Sequence, residues 1–368
     1  MNILQFKKFI KGKRVAVIGI GVSNTPLIKM LVDFGAVVTA RDKKTYEQLG
    51  DLADELSVLL EGLVLGDEYL DGLDEEIIFK TPGLRFDTPQ LIDAAEKGSI
   101  ITSEMEMFFE LCPAQIIGVT GSDGKTTTTT LIYEMLKAQG YGCHLGGNIG
   151  KPLLSDIEDI SPDDKVVIEL SSFQLHTMKK SPEIAVVTNL SPNHLDVHKS
   201  MQEYIEAKEN IFLHQDKNGK LIINSDNEIT QGFAAKAKGT VITFGIENRA
   251  GVHVENGEIY FKDKPVLKIN DILLPGLHNV ENYMAAVATV SSMVDLSAIQ
   301  SVAKDFKGVE HRIEFVREVE GVKYYNDSIA SSPTRTMACI NSFKQKLIII
   351  AGGSDKYIPF DEIGRAHV

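Results

Sequence analysis

The sequence predicts an α/β chain of three units, and three observations carry that prediction. Residues 14–42 read as strand, helix and strand with Gly19 and Gly21 at the first turn, the opening of a Rossmann-like βαβ unit. Residues 116–139 read as an apolar strand, a glycine-rich loop and a helix starting at Lys125-Thr126, the pattern of a P-loop-type ATPase domain. The chain has 368 residues, more than one ordinary core holds, and α/β alternation resumes near Val309. Units are therefore expected over 1–113, 114–308 and 309–368.

In the first unit, RVAVIG is a strand, residues 22–35 a helix, and AVVTARD a second strand ending at Asp42. Asp42 stands where an acidic residue binds a ribose hydroxyl, but Asn24 replaces the third glycine of a dinucleotide fingerprint, so an NAD site is poorly supported. A helix over 46–60, a strand over 76–80 running into Thr81-Pro82-Gly83, a helix over 89–97 and a strand over 99–102 follow. Ser103 caps EMEMFFEL, and Cys112-Pro113 marks the boundary.

The second unit is organised around IIGVTGSDGKTTTTT. Gly118, Gly121 and Gly124 are expected to break the strand, so that backbone N–H groups point at phosphate oxygens and the next helix offers its positive end. Lys125 then reaches the β/γ-phosphates, and Thr126 offers a hydroxyl to Mg²⁺. The strict motif wants glycine at 119, where valine stands. A glycine-rich turn before an ordinary helix is the plainer alternative, although five successive threonines are mediocre helix formers. Downstream strands over 165–169 and 184–188 end in LSSFQL and NLSPNHLD, and a helix over 201–213 carries Lys208. Ligands gather at the carboxyl ends of parallel strands, so Lys125, Thr126, Glu169 and His194 are expected to converge there. Singly, Glu169 reads equally as a solvated strand end, His194 as a loop histidine and Lys208 as a surface charge. Asn256-Gly257 signals a type I′ hairpin, and helices over 279–294 and 296–305 close the unit.

In the third unit, a proline-started helix over 333–343 leads to an expected buried strand, LIIIAGG. One or two strands fall short of a covered parallel sheet. The unit is therefore expected to be truncated, with the apolar face of LIIIAGG exposed.

A net charge of −13 opposes binding to nucleic acid or anionic membrane. The three cysteines lack metal or redox spacing, and no stretch is long enough to span a bilayer. These features predict a cytoplasmic protein without nucleic-acid or membrane partners.

The segments TGSDGKTTT, GGNIG, ELSSFQL, NLSPNHLD, EAKENIF, LPGLHNVEN, EHRIE, YYNDSIASSP and AGGSDK occur in this order. Together they resemble the Mur ligases of peptidoglycan synthesis, and within them the D-glutamate-adding branch. The sister ligases, and the similar folylpolyglutamate synthases, usually carry a D-x-Y-x-H/N-x-P motif where this chain has Asn326-Asp327-Ser328. The resemblance implies a three-domain ATP-dependent ligase and not an NAD enzyme, a monomer taking the small molecules UDP-N-acetylmuramoyl-L-alanine, D-glutamate, ATP and two Mg²⁺ ions, for which Mn²⁺ can substitute. It assigns ATP contacts to Gly121, Ser122, Asp123, Gly124, Lys125, Thr126, Thr127, Asn279, Asn282, Arg312 and Asp327. It assigns the metals to Thr126, Glu169, His194 and a carbamylated Lys208. For the UDP substrate it implies Val22, Ser23, Asp42, Thr81, Pro82 and Gly83; for the phosphates and the muramoyl group, Asn148, Ser171 and Gln174; for D-glutamate, Ser331 and Lys356. The chain departs from the family in two places. Ile329 stands where many members have lysine, and the final segment around D-glutamate is absent. Residues 363–368 (IGRAHV) are expected to be foreign, because ATC GGA AGA GCA CAC GTC, the start of a common sequencing adapter, encodes them; an inactive nucleotide-binding fragment is the alternative that follows.

Overall fold

The computed structural model describes residues 1–192, 197–248, 251–330, 333–343, 345–353 and 363. Its first sheet contains β1 (Arg14–Ile18), β2 (Val37–Asp42), β3 (Gly62–Leu65), β4 (Ile77–Lys80) and β5 (Ile100–Thr102). All are parallel, in the order β3-β2-β1-β4-β5. Around it lie α1 (Ile3–Ile10), α2 (Asn24–Asp33), α3 (Tyr46–Leu49), α4 (Asp51–Leu59), α5 (Pro89–Glu96) and α6 (Glu104–Leu111). The N-terminal residues ahead of β1 form α1. An Asn2–Gln5 capping box starts this helix, and Phe6 and Ile10 bury its inner face. The helix expected over 46–60 is two helices, because Gly50 takes φ +55° between them.

The second sheet comprises β6 (Gln115–Thr120), β7 (Cys143–Gly147), β8 (Lys165–Glu169), β9 (Ile184–Val187), β10 (Lys220–Asn224), β11 (Thr240–Gly245), β12 (Val252–Glu255), β13 (Glu258–Phe261) and β14 (Lys264–Lys268). Its order is β14-β13-β12-β11-β10-β9-β6-β8-β7, parallel except for the antiparallel β12-β13-β14 edge. The helices here are α7 (Lys125–Gln139), α8 (Ser172–Leu175), α9 (Met201–Glu209), α10 (Glu228–Gln231), α11 (Leu277–Val290) and α12 (Leu296–Asp305). Its central strands are apolar on both faces, as helices above and below require. Ile117, Val119, Val167 and Val186 pack in the cluster with Met135, Tyr283 and Ala286, whereas Val166, Ile168, Ala185 and Val187 pack in the cluster with Phe108, Tyr204 and Phe212. Asn256 and Gly257, at φ +50° and +77°, make the expected hairpin turn.

Gly118 does not break the strand. It lies within β6, where a Cβ would come 2.7 Å from Pro182 Cγ. Beyond α12, an antiparallel hairpin of β15 (Glu314–Val319) and β16 (Val322–Asn326) precedes α13 (Pro333–Asn341). LIIIAGG is not a buried strand: residues 347–353 form no regular element, and Ile348 and Ile350 are 94% and 93% exposed. Among the described residues no strand runs beside it, and an extended segment without a partner leaves its backbone groups to water. No helix among the described residues is long and apolar enough to cross a membrane.

Polar ties connect the first and second sheets' surroundings, those of Arg85 and Glu104 among them. Arg85, after β4, bonds Asp87 at 2.8 Å, Glu203 of α9 at 2.7 Å and the Val197 carbonyl at 2.8 Å. Glu104 of α6 accepts a bond from the Leu154 N–H at 3.1 Å, and burial pushes its carboxyl pKa up to about 7. A folded pKa above the unfolded value of about 4.3 stabilises the fold fully only below that value, and the contribution is lost as pH rises from there through 7. Glu104→Gln keeps the acceptor and removes the buried charge. It should raise the melting temperature at pH 8, by up to about 3 kcal/mol in stability, with almost no change at pH 4; equal gains at both pH values would contradict the assignment.

Candidate active site

β6 lies between β8 and β9, so its carboxyl end is flanked by theirs. The loop after β6 is anchored to the segment after β9. Ser122 N–H donates to the Asn189 carbonyl at 2.9 Å, and Asp123 N–H to Asn189 Oδ1 at 2.9 Å. The Thr188 hydroxyl donates to the Asp123 carbonyl. Two glycines make this possible. Gly121, at φ +152°, lies so close to Thr188 that a Cβ would overlap its hydroxyl, and Gly124, at φ +79°, leaves 2.4 Å between a notional Cβ and Asn282 Oδ1.

Lys125 is half-buried and folds back over the loop, donating to the Gly121 and Ser122 carbonyls at 3.0 Å each. Burial lowers its pKa, while Glu169 opposes the shift. Thr126 donates to Glu169 Oε2 at 2.7 Å, and Asn148 Nδ2 donates to Oε1 at 2.9 Å. Lys208, on α9, is 2% exposed and donates to Thr120 Oγ1 and the Gly121 carbonyl at 3.0 Å. Burial, with Lys125 nearby, drives its pKa well below that of a free lysine. The sequence alternative of a surface charge is therefore wrong for Lys208, and Glu169 at 2% exposed is no solvated strand end.

A cleft of about 240 Å³ opens over this loop, lined by Asp123, Gly124, Thr127, Asn282, Arg312 and Asp327 among others. Asn282 accepts from Thr128 Oγ1 and donates to Asn279 Oδ1, both at 3.2 Å, so Asn279 stands behind it and not in the cleft wall. Arg312 has a buried Nε without a hydrogen-bond partner, and burial lowers its pKa. Its neighbours His311 and Ile313 take φ +64° and +45°. A β-branched residue in that region is strained, and Asp327 Oδ1 holds it by accepting from Ile313 N–H at 3.1 Å.

A second cleft, of about 360 Å³, lies at the carboxyl end of the first sheet and is lined by Val22, Ser23, Asn24, Asp42 and Thr81, with Lys43, Lys44 and Tyr69. Asp42 is engaged by the Ile20 and Lys44 N–H groups, so it braces the loop as well as facing the cleft. Asn24 staples the turn by donating to the Ile18 and Gly19 carbonyls at 3.1 and 3.0 Å. Pro82 and Gly83 adjoin this cleft without lining it. Ser171 and Gln174 bond each other in a capping box at α8. His194, Ser331 and Lys356 lie outside the described residues. Sequence reasoning missed Asn189, Lys43, Lys44 and Arg335. Asn189 opens NLSPNHLD, the two lysines follow Asp42, and Arg335 is the third residue of α13; none stands in a spacing that marks a ligand.

Fold and site together define a phosphate-loop α/β enzyme that uses a nucleoside triphosphate. The Mur ligase middle domain matches residues 119–290. The UDP-N-acetylmuramoylalanine–D-glutamate ligase of Acetivibrio thermocellus is 57% identical over 98% of this chain and 78% of its own, and that of Clostridium beijerinckii 55% identical over 98% and 79%. Among solved structures, the UDP-N-acetylmuramate–alanine ligase MurC of Thermotoga maritima shares 21% identity, with a TM-score of 0.57 over 90% of this chain and 77% of its own. MurF of Acinetobacter baumannii shares 17%, with a TM-score of 0.55 over 92% and 70%. The chain belongs to the Mur ligase family, in the branch of the UDP-N-acetylmuramoylalanine–D-glutamate ligases.

Because Gly124 combines a positive φ with a 2.4 Å approach to Asn282, Gly124→Ala should weaken ADP binding at least tenfold by calorimetry. Retained affinity would show that the loop tolerates a shift there.

Proposed function

We propose that the two clefts are the ends of one active centre that joins D-glutamate to UDP-N-acetylmuramoyl-L-alanine using ATP. The observation that supports this most directly is the convergence of Lys125, Thr126 and Glu169 beside a cleft lined by Asp123, Gly124, Arg312 and Asp327. A carboxylate and an amine near pH 7 form a salt, so the carboxylate must first be activated. Transfer of the γ-phosphoryl group to it gives an acyl phosphate and ADP; the D-glutamate amine then attacks the acyl carbon, and phosphate leaves. Both steps concentrate negative charge on phosphate oxygens, which the protein must position and neutralise.

Residues 121–127 cradle the phosphates, with Lys125 released from its own loop carbonyls to meet them. Arg312 and Asp327 reach the nucleotide from the last part of the chain, and Asn282, braced by Asn279, faces the adenine side. The second cleft takes the uridine nucleotide through Val22, Ser23, Asp42 and Thr81 to Gly83, with Lys43 and Lys44 facing its diphosphate. Asn148, Ser171 and Gln174 serve the phosphates and the muramoyl end; Ser331 and Lys356 serve D-glutamate. Both clefts use residues of one chain, which supports a monomer, and the soluble nucleotide substrates support a cytoplasmic setting.

The adjacent Thr126 hydroxyl and Glu169 carboxylate are hard oxygen donors and fit Mg²⁺ or Mn²⁺. Bound there, the ion supplies charge neutralisation to phosphate oxygens. Lys208 fits a second position, with His194, only as an anion. Burial favours its neutral amine, which adds CO₂ and loses a proton to give a carbamate.

The test is product formation by mass from UDP-N-acetylmuramoyl-L-alanine with ATP, Mg²⁺ and D-glutamate, L-glutamate or L-lysine. Product with D-glutamate alone is expected; product with another amino acid, or none with any, would overturn the reading. Lys208→Gln should cut turnover at least a hundredfold while ADP still binds, and added bicarbonate should raise wild-type turnover only.

A further inference from the structure

We propose that Arg335 is a further phosphate-binding residue of this centre, exchanging its bond to Asp123 for the phosphate tail of the bound nucleotide. The inference rests on residues 121–127 holding that tail, and extends it to a residue that no motif identified. Arg335 lies in α13, 212 residues from Asp123 in the chain, yet its Nε donates to Asp123 Oδ1 at 3.1 Å. Asp123 is part of the loop itself, its backbone N–H fixed by Asn189. The guanidinium is therefore held at the mouth of the phosphate loop by a carboxylate of that loop.

Charge and exposure explain why this contact is exchangeable. Arg335 and Arg312 line the same cleft, and Arg335 contributes to the lowered pKa of both Arg312 and Lys125. Three cations thus converge on one space, and their mutual repulsion is relieved by a polyanion more fully than by single carboxylates. Asp327, a carboxylate of the same cleft wall, is engaged by Ile313 N–H. The Arg335–Asp123 side chains are 29% and 42% exposed, so water competes with their bond, and an ion pair in that setting holds its partners weakly. A guanidinium fork binds phosphate oxygens through two parallel donors, which a single Nε contact does not use. Ile329 and Ala330 in the same wall carry no charge, which leaves Arg335 and Arg312 as the cations that the last part of the chain brings to the cleft among its described lining residues.

Calorimetric titration of the full chain with adenosine, ADP and a non-hydrolysable ATP analogue, all with Mg²⁺, tests the assignment. Arg335→Ala should weaken ADP and the analogue at least tenfold and leave adenosine unchanged, and Arg335→Lys should recover part of the loss. Asp123→Asn should tighten ADP when Arg335 is present, and less so in the Arg335→Ala background. Equal binding of all three ligands by wild type and Arg335→Ala overturns the proposal but leaves the phosphate-loop reading intact. An equal loss for adenosine, or the same loss in Asp123→Ala as in Arg335→Ala, makes the pair a structural clamp and overturns it too. Wild type that binds ADP no better than adenosine overturns both readings.

Discussion

The site depends on a loop whose backbone is fixed before any ligand arrives. Ser122 and Asp123 give their N–H groups to Asn189, and Thr188 returns a hydroxyl to the Asp123 carbonyl. These bonds exist because β9 is the hydrogen-bonded neighbour of β6. Strand order therefore decides loop shape. A loop fixed in this way has lost its conformational entropy on folding and does not lose it again on binding.

Burial governs the two lysines beneath the loop in the same direction but through different surroundings. Lys125 leans on carbonyls of its own turn, an arrangement that phosphate oxygens can replace. Lys208 sits deeper, held by Thr120 and Gly121. A desolvated ammonium is unfavourable without an anion, so both positions invite a change of partner or of chemical form.

The units with strong local signals were legible in the sequence. The β6 loop, α7 and the Asn256-Gly257 hairpin follow from apolar runs, glycines and turn chemistry, and the β1–α2–β2 opening from its alternation of strand and helix. Short strands such as β3 and β7 were not legible, since four or five residues half buried beside a stronger neighbour carry little periodicity. LIIIAGG shows the opposite failure: its composition says strand, but a strand exists only where another lies beside it. Gly118 was misread for a related reason, because a glycine inside a strand signals close approach, here of Pro182, as readily as a turn. Arg335 was invisible because its partner is 212 residues away, and nothing local marks a charge that acts across a cleft.

The helix α6 carries a consequence for how this chain comes apart. Phe108 and Phe109 belong to one hydrophobic cluster that runs from Phe6 and Val17 beside the first sheet to Ile168, Tyr204 and Phe212 beside the second. The seam read at Cys112-Pro113 divides the chain in sequence, yet the apolar contacts cross it. A border drawn by chain order is thus not a border in cooperativity: severed there, each piece would present the other's half of a shared interior to water, and heat would find a single transition where the eye counts two sheets.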